Sequence, residues 1–327
     1  MSSADKVHSL EIFILTYNRA DYLCESIESV LASSYKDFTL TVVDNCSTDN
    51  TKEVVNSFDD PRIRYVKHEK NIGGINNINS AIRMAKADYI VLFHDDDKML
   101  PSMIEEEYGF LEEHPEAGCV SCLSRSFFED GRTENMKASF EGESKIYTGT
   151  ELFDAYFADK HDTVCPSIMY RKSVLDAHDL IFDPKVGPCC DIKLLFDIER
   201  YGDGVGTINK CLMLTRRHEK QDSTMNYFPM HIELYDYLHN DPYYGPMLSE
   251  KKKWGLDKYH DFSRALASLV IRGIGKREKH ISDEKKLRNA VGSRFLDRCV
   301  YTVTVSLARL FPGLIRKLYF MRKGGRG

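Results

Sequence analysis

One short run limits what this chain can become. Tyr89-Ile90-Val91-Leu92-Phe93 is wholly apolar, rich in β-branched and aromatic side chains, and stops at His94-Asp95-Asp96-Asp97. Five residues of that kind read as a buried central strand of a parallel sheet. Three carboxylates where such a strand leaves the core cannot all ionise comfortably without a cation to offset them. Ligands of open α/β sheets bind outside the carboxyl ends of the strands, where this cluster falls. A hard divalent ion, Mg²⁺ or Mn²⁺, held by one or two carboxylates and completed by substrate phosphates, suits the place. The plainer alternative is an acidic turn capping the next helix, because Ser102-Met103-Ile104-Glu105 behind Pro101 has the form of a capping box.

The surrounding pattern favours the sheet. Strands are expected over Leu10–Leu15, Thr39–Val43, Ile63–Lys67 and Tyr89–Phe93, with helices over Tyr22–Ala32, Thr48–Phe58 and Asn76–Lys86 between them. In the first helix Leu23, Ile27, Val30 and Leu31 share a face. Strands interleaved with helices of this length make βαβ units, hence a parallel sheet with right-handed crossovers. From Gly118 to about Arg217 the pattern loosens into short strands, loops and two helices, Gly149–Ala158 and Asp191–Tyr201. Beyond Asn226 only long helical patterns remain. The expected fold class is α/β, a mostly parallel sheet flanked by helices, with a C-terminal helical appendage.

Charge separates the same two regions. The chain of 327 residues has a net charge of −5, yet from Asp261 to the end 16 basic residues face 5 acidic ones. That leaves a net of +11 on the tail and −16 on residues 1–260. An acidic body argues against nucleic acid as its substrate, while a basic tail suggests an adhesive role. Within it Cys299–Met321 is apolar but broken by Arg309, Pro312, Arg316 and Lys317, too interrupted for a membrane span. Basic residues beside Phe, Tyr, Leu and Ile instead read as a helix lying on an anionic membrane surface, with a packed helical appendage or oligomer contact as the alternative. Nine scattered cysteines and no signal-peptide pattern suggest reduced thiols and a cytoplasmic protein, peripheral on the inner face of the membrane. Cys119 and Cys122 have zinc-like spacing without a second pair, and read as core cysteines.

Polar residues follow the strands in order: Thr16-Tyr17-Asn18-Arg19 after the first, Asp44-Asn45 after the second, the aspartates after the fourth. Asn71-Ile72-Gly73-Gly74 follows the third, a turn where a backbone could approach a ligand closely. All should converge on one crevice. Neither G-x-G-x-x-G nor G-x-x-x-x-G-K-[ST] occurs, so phosphates must be neutralised by metal and not by a glycine cradle alone. This describes a metal-dependent nucleoside-diphosphate site.

These residues resemble the inverting family-2 glycosyltransferases of the GT-A fold, from about Leu10 to Met225. Five motifs carry the likeness, in order: Ile14–Arg19; Val42–Asp49; Asn71–Gly74 with Asn79; Tyr89–Pro101; and Cys190-Asp191 with Arg217-His218. The resemblance implies a GT-A domain over 1–225, divided into a Rossmann-like nucleotide-sugar-binding half (1–101) and an acceptor half (102–225), and a basic helical region over 226–327. It implies that Thr16 and Tyr17 line the nucleobase pocket with Asn18 and Arg19 beside them, and that Asp44 accepts the imide N–H of uracil or thymine. Asn71 and Gly73 would complete the donor site. Asp95 and Asp96 would stand in the family's D-x-D position, with His94 replacing its first acidic residue. Metal would be held by Asp96, Asp95 and His218, and Arg217 or Arg216 would offset leaving-group charge. Asp191, at a helix start that helps keep it ionised, would be the base that deprotonates the acceptor hydroxyl, although Cys190 stands where a Glu is usual. The implied donor is a nucleoside-diphosphate sugar, UDP-linked first and dTDP-linked second. The implied acceptor is a glycan or lipid-linked oligosaccharide in surface polysaccharide synthesis.

Asn71, Asn76, Asn77 and Asn79 form an amide-rich face that could bond ribose or sugar hydroxyls, or equally could serve as turn and capping residues. Two other functions fit more loosely. A nucleotidyltransferase would need a glycine-rich, basic loop after the first strand, absent here. A non-catalytic sugar-binding module would have no use for Asp44, Asp95, Asp96, Asp191 and His218 together.

Overall fold

Parallel pairing begins at the first strand and spreads outward from it. In the computed structural model β1 (Leu10–Thr16) lies between β2 (Phe38–Asp44) and β4 (Tyr89–His94), parallel to both, and β3 (Ile63–Lys67) extends the sheet beyond β2. Residues 9–135, 143–157, 163–218, 233–234 and 237–250 are described. The helices α1 (Ala20–Leu31), α2 (Thr51–Asn56) and α3 (Gly74–Met84) form the crossovers. Leu23, Ile27 and Val30 are completely buried on one face of α1, each worth about 1.5–3 kcal/mol against exposure. Leu31 is only partly covered, and Ser26 takes a place on the inner face instead.

Past β4 the sheet is mixed. β5 (Lys98–Met99), α4 (Met103–Glu113), β6 (Ala117–Phe128), β7 (Thr133–Asn135), β8 (Lys145–Tyr147), α5 (Glu151–Phe157), β9 (Ile168–Arg171), α6 (Lys172–Ala177), α7 (Cys190–Arg200) and β10 (Gly204–Arg217) follow. The main path of the sheet runs β3-β2-β1-β4-β9-β6-β10-β5, with β7 on β6 and β8 on β10. β9 is antiparallel to β4 and β6, whereas β6 and β10 run parallel. The region expected to hold only short strands contains the two longest, of 12 and 14 residues. Their disguise has a physical cause. β10 changes register around Ile208–Cys211, where Asn209 and Lys210 turn outward, so its alternation breaks. Its Gly206 sits where a Cβ would meet the Phe110 ring at 2.4 Å, so a residue that weakens a strand reading is needed for close packing.

The capping box does not form. Ser102 makes no side-chain cap, and Glu105 accepts a bond from Ser34 Oγ at 2.6 Å. The described cysteines are all free, with Cys119 and Cys122 buried on β6.

The chain divides into two units, one of 1–156, 160–184 and 190–219, the other of 157–159, 185–189 and 220–327. In the second, the described residues include a helix, α8 (Tyr244–Glu250), with Leu234, Leu238, Tyr244 and Leu248 buried. The basic tail, 261–327, and its expected membrane-surface helix lie outside the described residues. No helix among the described residues is long and apolar enough to cross a membrane.

Candidate active site

The aspartate turn lies between the ends of β4 and β5, and α1 pins both sides of it. Ser26 Oγ donates to the His94 carbonyl at 3.0 Å, and Ser29 Oγ accepts from the Met99 N–H at 3.0 Å. From β10, Arg216 closes the remaining side. Its backbone N–H donates to Asp97 Oδ1 and its Nε to the Asp96 carbonyl, both at 2.9 Å. The guanidinium is held between the Tyr22 and Phe127 rings, 4.6 and 4.5 Å from their centroids, and also reaches Glu25 at 2.9 Å. Glu25 in turn pairs with Lys98.

Three carboxylates are thereby held in a nearly dry place: Asp95, Asp96 and Asp97 are only 2%, 5% and 2% exposed. Arg19 Nη1 lies 3.1 Å from both Asp95 Oδ1 and Asp96 Oδ2. His218 Nε2 lies 3.0 Å from the same Asp96 oxygen. Together with His94, these neighbours hold Asp96 below the usual carboxylate range against the opposing effect of burial. Asp95 is pushed up to about 6, chiefly by burial and against the pull of Arg19. Burial and the neighbouring Asp96 charge push Asp97 well up. The protein's own cations thus do not balance the cluster.

The donor atoms suit a divalent ion. One ligand atom each from His94, Asp96 and Asp97 falls within a 4.8 Å cluster. Asp95 Oδ2 and His218 Nδ1 are buried without hydrogen-bond partners within bonding geometry, and the buried Thr16 hydroxyl lies beside Asp95. Buried orphan acceptors of this kind are costly unless a ligand satisfies them. Asp96, Asp95 and His218 do come together as the resemblance implies. Asp97 and His94 join them, which the motif comparison did not anticipate.

The loops after the first three strands are knit together. Asn45 N–H donates to the Thr16 carbonyl, and the Asn45 side chain bonds Asn71 Oδ1 and the Ile72 N–H. Asn18, at φ 51°, donates its backbone N–H to Ser47 Oγ at 2.9 Å, and its Oδ1 accepts from the Thr48 N–H at 2.7 Å. Asn71 Oδ1 also accepts from the Gly73 N–H at 2.8 Å, and Gly73 takes φ 83° before α3. Tyr17 stands 43% exposed. Asp44 is enclosed: Oδ1 accepts from Ser47 N–H at 2.7 Å and Oδ2 from the Tyr65 hydroxyl at 2.6 Å. The amide-rich face proves structural in part, since Asn77 bonds the Val43 carbonyl and Asn79 grips both backbone groups of Phe182.

Asp191 lies half-buried in the first turn of α7. The Cys165 thiol is pushed well up, chiefly by burial and then by the charge of Asp191. Arg217 Nε donates to Ser126 Oγ at 2.9 Å, and its charge reaches Asp97. Residues 219–223, after His218, are outside the described set.

The profile described as "Glycosyl transferase family 2" matches residues 11–179. An uncharacterized glycosyltransferase of Methanocaldococcus jannaschii is 31% identical over 170 residues, 51% of this chain and 57% of that protein. The Escherichia coli protein WfaP, named UDP-Glc:alpha-D-GlcNAc-diphosphoundecaprenol beta-1,3-glucosyltransferase, is 31% identical over 103 residues, 32% of this chain and 41% of that protein. The chain therefore matches less than two thirds of these relatives' lengths. Among solved structures, S. aureus TarS 1–349 in complex with UDP-GlcNAc superposes with a TM-score of 0.65 at 15% identity, covering 92% of this chain and 91% of that one. The Pyrobaculum calidifontis mannosyltransferase in complex with GDP-Man and Mn²⁺ gives 0.58 at 16% identity, covering 94% and 89%. At these identities the likeness establishes a shared fold, that of the GT-A glycosyltransferases.

Proposed function

The chain belongs to glycosyl transferase family 2 and is a glycosyltransferase, and we propose that it moves a sugar from a nucleoside-diphosphate donor, UDP-linked in first place and dTDP-linked in second, to a hydroxyl of a glycan or lipid-linked acceptor, with inversion and with a divalent ion. The observation that carries the reading is the aspartate turn. Three nearly dry carboxylates have one guanidinium, that of Arg19, in direct contact, with the His94 and His218 rings beside them and further polar atoms orphaned there. Asp96 is the central ligand in this reading, with Asp95, His218, His94 and Asp97 as its neighbours. When bound, Mn²⁺ or Mg²⁺ would supply charge stabilisation for the departing diphosphate.

The residues then divide the work. Tyr17 stacks on the base and Asp44 reads its N–H. Asn18, Asn71 and Gly73 shape the crevice around ribose and diphosphate, and Arg19 with Arg217 meets phosphate charge. Asp191 accepts the proton of the acceptor hydroxyl as that oxygen bonds the anomeric carbon. The bond from that carbon to the diphosphate oxygen breaks, and the nucleoside diphosphate leaves on the opposite face. Names of similar proteins favour such substrates: TarS was solved with UDP-GlcNAc, and WfaP is named for a diphosphoundecaprenol-linked acceptor. In the same reading residues 1–101 form the donor half, 102–225 the acceptor half, and 226–327 a basic appendage that meets an anionic membrane surface.

The test is transfer and hydrolysis across UDP-, dTDP- and GDP-sugars with Mn²⁺, comparing wild type with Asp96→Ala and Asp191→Ala. One donor should turn over, with Asp96→Ala losing the response to metal. Equal activity with and without metal would remove the aspartate turn from the mechanism.

A further inference from the structure

Arg19 bridges two of the three carboxylates in this cluster. A single nitrogen, Nη1, is 3.1 Å from Asp95 Oδ1 and 3.1 Å from Asp96 Oδ2. Those carboxylates belong to adjacent residues of a tight turn, and their side chains are 2% and 6% exposed. Arg19 differs: its side chain is 31% exposed and leaves the loop after β1, next to exposed Tyr17. The turn that carries the aspartates is fixed by Ser26, Ser29 and Arg216, while the Arg19 side chain is partly open to water.

From this asymmetry we propose that Arg19 is the resident cation of the metal-free site, and that it couples metal binding to donor binding. The inference rests on the metal-dependent reading given above. A divalent ion entering alone must displace the guanidinium from two nearly dry carboxylates, which weakens its binding. When the donor enters with the ion, its diphosphate gives the displaced guanidinium a new partner of matching charge and geometry. Arg19 therefore moves from carboxylates to phosphate, and the ion and nucleotide bind far better together than apart. By linkage, each must strengthen the other's binding by the same factor. The arrangement also discourages the free site from holding an ion without substrate.

The test needs no turnover. Mn²⁺ binding to the full chain is measured by the loss of the free-ion paramagnetic resonance signal, with and without UDP, for wild type, Arg19→Gln and Arg19→Lys. Wild type should bind Mn²⁺ weakly alone, and UDP should tighten it by roughly 5–150-fold, the usual range of a coupling between two ligands. Arg19→Gln should bind Mn²⁺ alone roughly tenfold tighter, with the effect of UDP reduced by a similar factor. Arg19→Lys, which keeps the charge without the planar fork, should fall between them. A second readout guards against misfolding: without nucleotide, Mn²⁺ should raise the melting temperature of Arg19→Gln more than that of wild type. If Arg19→Gln binds Mn²⁺ alone no more tightly than wild type, the proposal fails and the metal-dependent reading stands. If no variant binds Mn²⁺ even with UDP, the metal-dependent reading fails and takes the proposal with it.

Discussion

Arg216 is bonded to two successive aspartates through different parts of itself: its backbone N–H donates to the Asp97 carboxylate and its Nε to the Asp96 carbonyl, both at 2.9 Å. The last strand of the sheet thus fixes a turn more than a hundred residues earlier in sequence. Its guanidinium is buried between Tyr22 and Phe127, so Arg216 acts on position and has no direct route to substrate.

Replacing it separates position from charge. Arg216→Met keeps much of the packing against both rings and the backbone bond to Asp97, but loses the bonds to Asp96 and Glu25. Removing hydrogen bonds of a buried charge costs about 1.5–3 kcal/mol, enough to lower the melting temperature by several degrees. The Mn²⁺ concentration for half-maximal activity should rise roughly tenfold, because the Asp96 ligand is no longer held. An unchanged metal requirement in a destabilised variant would reduce Arg216 to a packing residue.

Asp191 can be tested apart from the donor site. Asp191→Asn preserves size and removes basicity, and should lower turnover by about 10²–10⁴-fold. UDP affinity, measured by calorimetry with Mn²⁺ present, should stay within about threefold, since the base contacts the acceptor. Equal losses in both would place Asp191 in donor binding.

How far these roles were legible in sequence varies with the physics behind each. β1 to β4 announced themselves because each is a short run rich in β-branched or aromatic residues bounded by polar turns, and the observed strand ends differ from the expected ones by at most one residue. The carboxylates could be read because three charges at a strand end are costly. Ser26 and Ser29 could not, since serine suits either face of a helix, although polar residues beside Leu23 and Ile27 were a faint sign. β10 was hidden by its bulge, and with it the positioning role of Arg216, which the resemblance pairs with Arg217 as a choice for leaving-group charge. On a strand adjacent arginines face opposite ways, and one meets the aspartate turn while the other meets Ser126.

Glu107 offers a prediction away from the active site. It is completely buried on α4, with only the weakly polar Cys122 thiol beside its carboxyl group, and burial pushes its pKa well above 4.5. The folded state keeps this proton over a range where the unfolded chain has lost it. Its contribution is therefore fully present below the unfolded value and falls as pH rises toward the folded one, by about 1.4 kcal/mol per unit. Glu107→Met removes the titrating group at similar volume. Its stability should decline less than that of wild type between pH 5 and pH 8, as read by urea unfolding. Parallel pH profiles would mean that the carboxyl finds compensation when ionised.

Asp44 poses the last question, because the residue expected to read the nucleobase is already engaged. Tyr65 holds Oδ2 at 2.6 Å, the Ser47 N–H holds Oδ1 at 2.7 Å, and Lys67 Nζ lies 3.9 Å from Oδ2. A carboxylate oxygen can accept two bonds, so these contacts orient Asp44 without exhausting it, but an incoming base must reach it past the Tyr65 and Lys67 side chains. Asp44→Ala should raise the donor KM by roughly 10–100-fold with little change in kcat, the mark of a contact made equally in ground and transition states. Tyr65→Phe removes a bond to a charged acceptor and should cost about 1.5–3 kcal/mol of stability, yet leave KM within about threefold. Steady-state kinetics and thermal unfolding of both variants decide the matter. If Tyr65→Phe raises KM as much as Asp44→Ala does, the tyrosine hydroxyl is what meets the base, and Asp44 serves only to hold it.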